Sequence, residues 1–488
     1  MNRLARMVAV TLALLCLFTV GAGAAIAHLL PARLALFRLP TISGTSRAGS
    51  GSGLRSVTDP APGLSASRHP SASVVAAQLS AMIGSGRLGR QVGALVVDYS
   101  TGRVLYALNA DSGFTPASTT KVATAVAAIE TLGPSARFTT SVRLSSGGHD
   151  IVLVGGGDPT LAAGQFPASF YPQPATLSSL AAETAKALRE KGIGSVRLTY
   201  DNSLFSGPTL ALGWPDFGSP DNYIYSGNVA PIVGLEVDQG RLTSAGRPQD
   251  IDASSTQLPR SLRPGLDAAV AFARFLRKDG ITVGNTPVQS RLGTGGQQGQ
   301  VIASVRSPAL AQIVQWMLQE SNNVIAETLA RHVAIATGKP PTFAGAGQAV
   351  MAVDARLGVH GLQLNDGSGL STLDLIPPQA LVKLVELAAG QRLPKLRAVI
   401  TGLPVAGFSG TLGPGSFFGP FGQDALGTVR AKTGNLTGVA TMAGLAYAKD
   451  GDLLAFAFMG NGIGKKLGVE PESTLSQLAT VLAGCGCR

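Results

Sequence analysis

The chain has 488 residues, 45% of them apolar and 14% charged; that is room for two or three domains with a large core, and too apolar for a disordered polypeptide. The net charge of +11 is uneven, because residues 1–70 hold seven Arg against one acid, Asp59, leaving about +5 for the rest. No clustered basic face with a recognisable module accompanies it, so no nucleic acid is expected as a partner. The mildly basic body suits either an anionic substrate or an ordinary solvated surface. Gly is frequent, at 62, which suits a compact α/β or α+β enzyme with many turns. The three Cys form no C-x-x-C pair and the five His are scattered, so neither a metal nor another cofactor is expected. Cys485 and Cys487, one residue apart, read either as a strained disulfide or as two free thiols.

In chain order, Arg3 and Arg6 precede an apolar run over residues 7–30, and Ala25-Ile26-Ala27 offers a small-residue cleavage site. This is a signal peptide or, uncleaved, a membrane anchor. Residues 41–72 are rich in Ser, Gly, Pro and Ala and read as a tether. The folded part starts near Ser71. The spacing predicts a helix over 73–84, strands over 92–99 and 103–108 with a turn at 100–102, and an Ala-rich helix over 122–132. Further helices are expected over 308–318 and 324–334. The run 436–447 reads as one strand, followed by another over 453–459.

Three short elements carry chemistry. The first is Ser118-Thr119-Thr120-Lys121, just before the Ala-rich helix. Residues three apart share a helix face, so Lys121 can act as base for the Ser118 hydroxyl if burial and a second cation lower its pKa. Lys121 is the only one of eleven Lys with a Ser three residues before it. The second is Ser321-Asn322-Asn323, on a turn between two helices, where Ser321 can relay a proton and Asn323 can hold a substrate amide. A plain helix cap is the competing reading. The third is Lys432-Thr433-Gly434, where Lys432 and Thr433 can meet a substrate carboxylate. Gly434 admits close backbone approach, and the amide of Asn435 can complete an oxyanion hole. By itself it reads as a hairpin turn.

Together, in this order, the three match the S-x-x-K, S-x-N, K-T-G signature of penicillin-recognising serine enzymes. The long separation between Ser118 and Ser321 points to an insertion. The chain resembles the class C low-molecular-mass penicillin-binding proteins, the D-alanyl-D-alanine carboxypeptidase/endopeptidase (S13) family, over roughly residues 75–480. The stretches 155–161, 201–207, 366–371 and 429–434 share in that resemblance.

The resemblance implies an α+β fold: a β-lactamase/transpeptidase-like domain, with an antiparallel sheet flanked by helices, split by a large, mostly β inserted domain. The expected division is a leader over 1–29, a linker over 30–72, catalytic parts over 73–139 and 301–488, and an insert over 140–300. Carried over, Ser118 is the acylated nucleophile, Lys121 its base and Ser321 the proton shuttle. Asn323 orients the peptide, and Lys432, Thr433, Gly434 and Asn435 line the carboxylate and oxyanion side. The implied substrates are peptidoglycan peptides, with β-lactams as covalent inhibitors, in an extracytoplasmic compartment.

Asn435 stands where the family usually has Thr or Ser, and Thr372 and Asp374 stand where it usually has Arg and Asn. Trp214, Asp216, Asp221 and Tyr223 fall either in a substrate pocket or in a Pro/Gly-rich surface loop. Ser226-Gly227-Asn228, a rival S-x-N, lacks a helical frame. Ser368, flanked by Gly, reads as a turn. Two other functions fit the same residues: a β-lactamase or esterase, and a non-catalytic envelope protein. No E-x-x-L-N stretch is present for the first, and the intact set of polar residues argues against the second.

Overall fold

A computed structural model of the protein describes residues 70–242, 258–290, 299–416, 418, 422–464 and 471–486. All of these belong to one compact unit that starts at Ser67. The leader and nearly all of the expected linker lie outside the described residues. Cys485 is disulfide-bonded.

Helix α1 (Ala72–Ile83) leads into strands β1 (Gln91–Asp98) and β2 (Val104–Leu108) and helix α2 (Thr120–Leu132). Next come β3 (Thr139–Leu144), β4 (Asp150–Val154), α3 (Leu177–Glu190), β5 (Ser195–Asp201), α4 (Pro264–Lys278), β6 (Thr282–Val283), β7 (Val288–Gln289) and β8 (Gln300–Arg306). The rest is α5 (Leu310–Gln319), α6 (Asn323–Ala336), α7 (Phe343–Arg356), α8 (Pro378–Ala389), α9 (Arg397–Gly402), β9 (Val429–Leu436), β10 (Val439–Tyr447), β11 (Leu453–Asn461) and α10 (Pro471–Gly484).

The first sheet is antiparallel, in the order β2-β1-β11-β10-β9. Its central strands are apolar on both faces because both faces are covered. Leu95, Val97, Ala443, Ala455 and Ala457 pack into the core shared with α2 and α5 to α8. Their alternates Ala94, Val96, Met442, Phe456 and Phe458 pack against α1 and α10. Helix α2 is buried from Thr120 to Ile129, and its small side chains let neighbouring helices close around it.

The second sheet runs β6-β5-β4-β3-β8, with β7 also paired to β5. It is mixed: β3 pairs antiparallel with β4 and β8, while β4, β6 and β7 run parallel to β5. Helices α3 and α4 share its core. Leu177, Leu180, Ala181, Ala185 and Leu188 of α3 recur at helical spacing and meet Val142, Leu153 and Phe272. Thr176 caps α3 by accepting from Ser179 N at 3.1 Å.

One expectation is corrected. The run 436–447 is not a single strand. It breaks at Thr437-Gly438, where Gly438 has φ +78°, and β9 and β10 fold into a hairpin with Leu436 opposite Val439. Lys432-Thr433-Gly434 therefore lies inside a strand rather than before one.

Candidate active site

Ser118 sits in a 3-10 turn (Ala117–Thr119) that runs into α2, so Lys121 is one residue into the helix. The turn is held under strain: Ala117 has φ +49°, a conformation costing about 1–3 kcal/mol for a non-glycine residue. Its neighbours hold it. Thr119 and Thr441 each donate a hydroxyl to Pro116 O, at 2.7 and 2.6 Å, and Thr115 N donates to Asn461 Oδ1 at 3.0 Å. The Ser118 turn is thus tied to β10 and β11.

Lys121 is fully buried, and its ammonium has three partners: Ser118 Oγ at 2.8 Å, Asn323 Oδ1 at 2.7 Å and the carbonyl of Ser368 at 2.8 Å. Burial pulls its pKa down from 10.5 to about 7, while the carboxylates of Asp366 and Glu327 hold it up. Near neutral pH it can therefore take a proton from Ser118. The serine itself is half-buried and opens onto a cleft of about 1240 Å³ that Ser321, Asn323 and Asn435 also line.

Ser321 has φ +54° and is the middle residue of the three that link α5 and α6; among the described residues its hydroxyl has no hydrogen-bond partner. The capping role in this turn belongs to Asn322, which accepts from Ile325 N at 3.0 Å. That leaves Asn323, the first residue of α6, to reach Lys121 through Oδ1 and Asn228 O through Nδ2 at 2.9 Å. The loop of the rival S-x-N element therefore enters the site through its backbone carbonyl.

On β9, Lys432 and Gly434 point to one side, Thr433 and Asn435 to the other. Lys432 is buried and donates to Thr433 O at 2.7 Å. Burial, then the charge of Lys121, hold its pKa well below 10.5. Thr433 Oγ1 pairs with Thr411 Oγ1 at 3.0 Å, and Thr411 also lines the cleft. Gly434 is required by the protein's own packing. A Cβ there would press on Thr441 Oγ1 and lie 2.7 Å from Pro116 O and 2.9 Å from Ser118 N. Strand β9 is thereby laid against the Ser118 turn, with the next amide, Asn435, beside it.

Sequence reading missed a buried brace behind Lys121. Glu327 accepts from Gly367 N (3.0 Å) and Ser368 N (2.8 Å), and Asp366 Oδ1 accepts from Ser368 N (3.0 Å) and Gly369 N (2.6 Å). These bonds aim the Ser368 carbonyl at Lys121, so Ser368 serves the site as a turn. Arg331 lies 3.7 Å from Glu327 and 4.0 Å over the Phe343 ring. Burial and Asp366 push Glu327 up to about 7. Trp214 is buried, donating Nε1 to Asp366 Oδ2 at 2.7 Å. Tyr223 lines the cleft, while Asp216 and Asp221 are exposed outside its lining. The one signal available was Glu327 and Arg331 four apart on a helix.

A serine hydrogen-bonded to a buried lysine of lowered pKa, beside the edge of an antiparallel sheet, is the equipment of a serine acyl-transfer enzyme. The family described as D-Ala-D-Ala carboxypeptidase 3 (S13) matches residues 75–257 and 232–482. The chain belongs to this family. It is 36% identical to Carboxypeptidase DacB of Mycolicibacterium smegmatis over 417 residues, covering 85% of this chain and 84% of that protein. It is 29% identical to a D-alanyl-D-alanine carboxypeptidase of an Actinomadura strain, covering 77% of this chain and 78% of that protein. The crystal structure of penicillin binding protein 4 from Haemophilus influenzae superposes with a TM-score of 0.62 at 26% identity, covering 83% of this chain and 98% of that one.

Proposed function

We propose that the chain is an exported serine-type D-alanyl-D-alanine carboxypeptidase/endopeptidase that cuts peptidoglycan stem peptides through an acyl-enzyme on Ser118 and is acylated by penicillin. The observation that carries this reading is the 2.8 Å contact between Lys121 Nζ and Ser118 Oγ, in a buried site where the lysine's pKa falls to about 7.

In the proposed cycle, neutral Lys121 takes the Ser118 proton as Oγ attacks the penultimate D-alanine carbonyl. The amides of Ser118 and Asn435 receive the oxyanion, a role supported by Gly434 lying against Ser118 N. Asn323 orients the peptide, and Lys432 and Thr433 take the terminal carboxylate. Ser321 passes a proton to the departing amine, and water then releases the acyl group. A solved complex of the Haemophilus influenzae relative with a β-lactam supports the penicillin reading.

Export is supported by the basic residues and apolar run of the leader. Among the described residues no helix is long and apolar enough to cross a membrane. We also propose that 140–300 is an insertion between catalytic parts 73–139 and 301–488. Its support is chain order: β1 and β2 share a sheet with β9 to β11, and the second sheet falls between them.

The test is intact-mass spectrometry of the protein mixed with penicillin. One long-lived adduct mapping to Ser118 is expected, with none in Ser118→Ala, whose melting temperature stays that of the parent. An adduct persisting in that variant would refute the assignment. An adduct that vanishes within seconds as penicillin is consumed would point to a β-lactamase.

A further inference from the structure

The 3-10 turn Asp238–Gly240 is fastened over the Ser321 link: Asn322 Nδ2 donates to Gln239 Oε1 at 2.7 Å. Arg241 follows it and pairs with Arg260 in an isolated antiparallel bridge. The two arginines differ in what holds them. Arg260 donates Nε to Gly227 O and Nη1 to Gln239 O, both at 2.9 Å, and so knits the loops together. Arg241 is only 5% exposed, lines the cleft, and among the described residues its Nε and Nη1 have no hydrogen-bond partner.

Buried polar groups are as a rule hydrogen-bonded, and a guanidinium gives up its water at a large cost. The carboxyl groups of Asp238, Glu236 and Glu320 support the charge of Arg241 through space, without accepting from those two nitrogens. Glu236 is itself pushed up to about 8 by burial, so it is mostly protonated near neutral pH. Glu320 immediately precedes Ser321, which puts Arg241 on the side of the cleft where the leaving amine is protonated in the proposed cycle. A guanidinium with open N–H groups fits a carboxylate, which it binds in a planar, charge-assisted pair.

We propose that Arg241 is an anion-recognising group of the cleft, which takes a carboxylate carried by the fragment that departs from the acyl-enzyme. This inference rests on the reading of Ser118 as nucleophile and Ser321 as shuttle. It assigns a second carboxylate site, separate from the terminal-carboxylate site at Lys432 and Thr433. D-Alanine leaving alone brings only the carboxylate for that first site. A leaving peptide with further acidic groups brings one for Arg241 as well.

The experiment uses the full chain and three substrates with the same acyl half: a pentapeptide ending in D-alanyl-D-alanine, a cross-linked peptide dimer with free carboxylates on its leaving stem, and the same dimer with every leaving-stem carboxylate amidated except the one beside the departing amine. The wild type should cleave the free dimer with a kcat/KM roughly 10- to 100-fold above the amidated one, the range for a lost charge-assisted pair. Arg241→Gln should erase that ratio, and Arg241→Lys should keep part of it. The acylation rate with penicillin reports whether each variant is folded. If Arg241→Gln does not fold, the wild-type ratio and Arg241→Lys still decide. Equal cleavage of the two dimers by the wild type would overturn the inference. So would an Arg241→Gln that slows the pentapeptide as much as the free dimer. Neither result touches the carboxypeptidase reading, which fails separately if the wild type forms no penicillin adduct and releases no D-alanine.

Discussion

Acylation of Ser118 should quicken between about tenfold and 100-fold as the pH rises from 5 to 8. The reason is the protonation state of Lys121. It has no exposed surface, and burial lowers its pKa from 10.5 to about 7. With that midpoint roughly 1% of the lysine is neutral at pH 5 and roughly 90% at pH 8. The rate limit set by the base should follow this fraction. One neighbour softens the slope. Glu327, pushed up to about 7, loses its negative charge as the pH falls through the same range, and with it some of its support for the Lys121 cation. The acid limb is therefore shallower than one decade per pH unit. The assay is stopped-flow acylation by a chromogenic β-lactam, read as the second-order rate at each pH. A rate constant within twofold from pH 5 to 8 would mean that Lys121 is not the proton acceptor. The same depression has a sign for stability. The folded state binds the Lys121 proton less readily than the unfolded chain, so its contribution is full above 10.5 and is lost as the pH falls through about 7.

Gly434→Ala would put a methyl 2.7 Å from Pro116 O and 2.9 Å from Ser118 N, where ordinary contact begins at 3.4 Å. The strand and nucleophile turn must part by about 0.5 Å or more, so acylation should fall on the order of 100-fold with a stability loss of about 1–3 kcal/mol; acylation within twofold of the parent would contradict this packing. Glu327→Ala removes the acceptor for Gly367 N and Ser368 N and strands Arg331 without its ion partner. A loss of about 3–5 kcal/mol is expected, read as a lower denaturant midpoint. An unchanged midpoint would show that the brace bears no load.

The parts of the site legible in the sequence are those whose chemistry sits in adjacent letters. Ser118 and Lys121 are one helical turn apart, and Lys432 to Asn435 follow one another along a strand, so local geometry alone brings each set to one place. What escaped reading depends on backbone atoms delivered from a distance. Ser368 contributes a carbonyl and Asn228 another, and neither contact leaves a mark on residue type. Glu327 acts through main-chain N–H groups of a loop 40 residues further along the chain, where Asp366 braces its own turn. The hairpin at Thr437-Gly438 was hidden because β9 carries Arg430, Lys432, Thr433 and Asn435 and so does not read as a strand, while β10 is almost wholly apolar and buried on both faces.

The pairing of β1 with β11 joins residues 91–98 to residues 454–461, and the nucleophile turn hangs from this seam through Thr115 and Asn461, 346 positions apart. Such long-range closure is slow, because loop entropy must be overcome before the contacts reward it. It also means that a growing chain carries Ser118 and Lys121 long before it carries the strand that lies against them. Until the last strands have been made and threaded home, the protein has a serine and a lysine but no enzyme. Its activity is thereby confined to finished molecules.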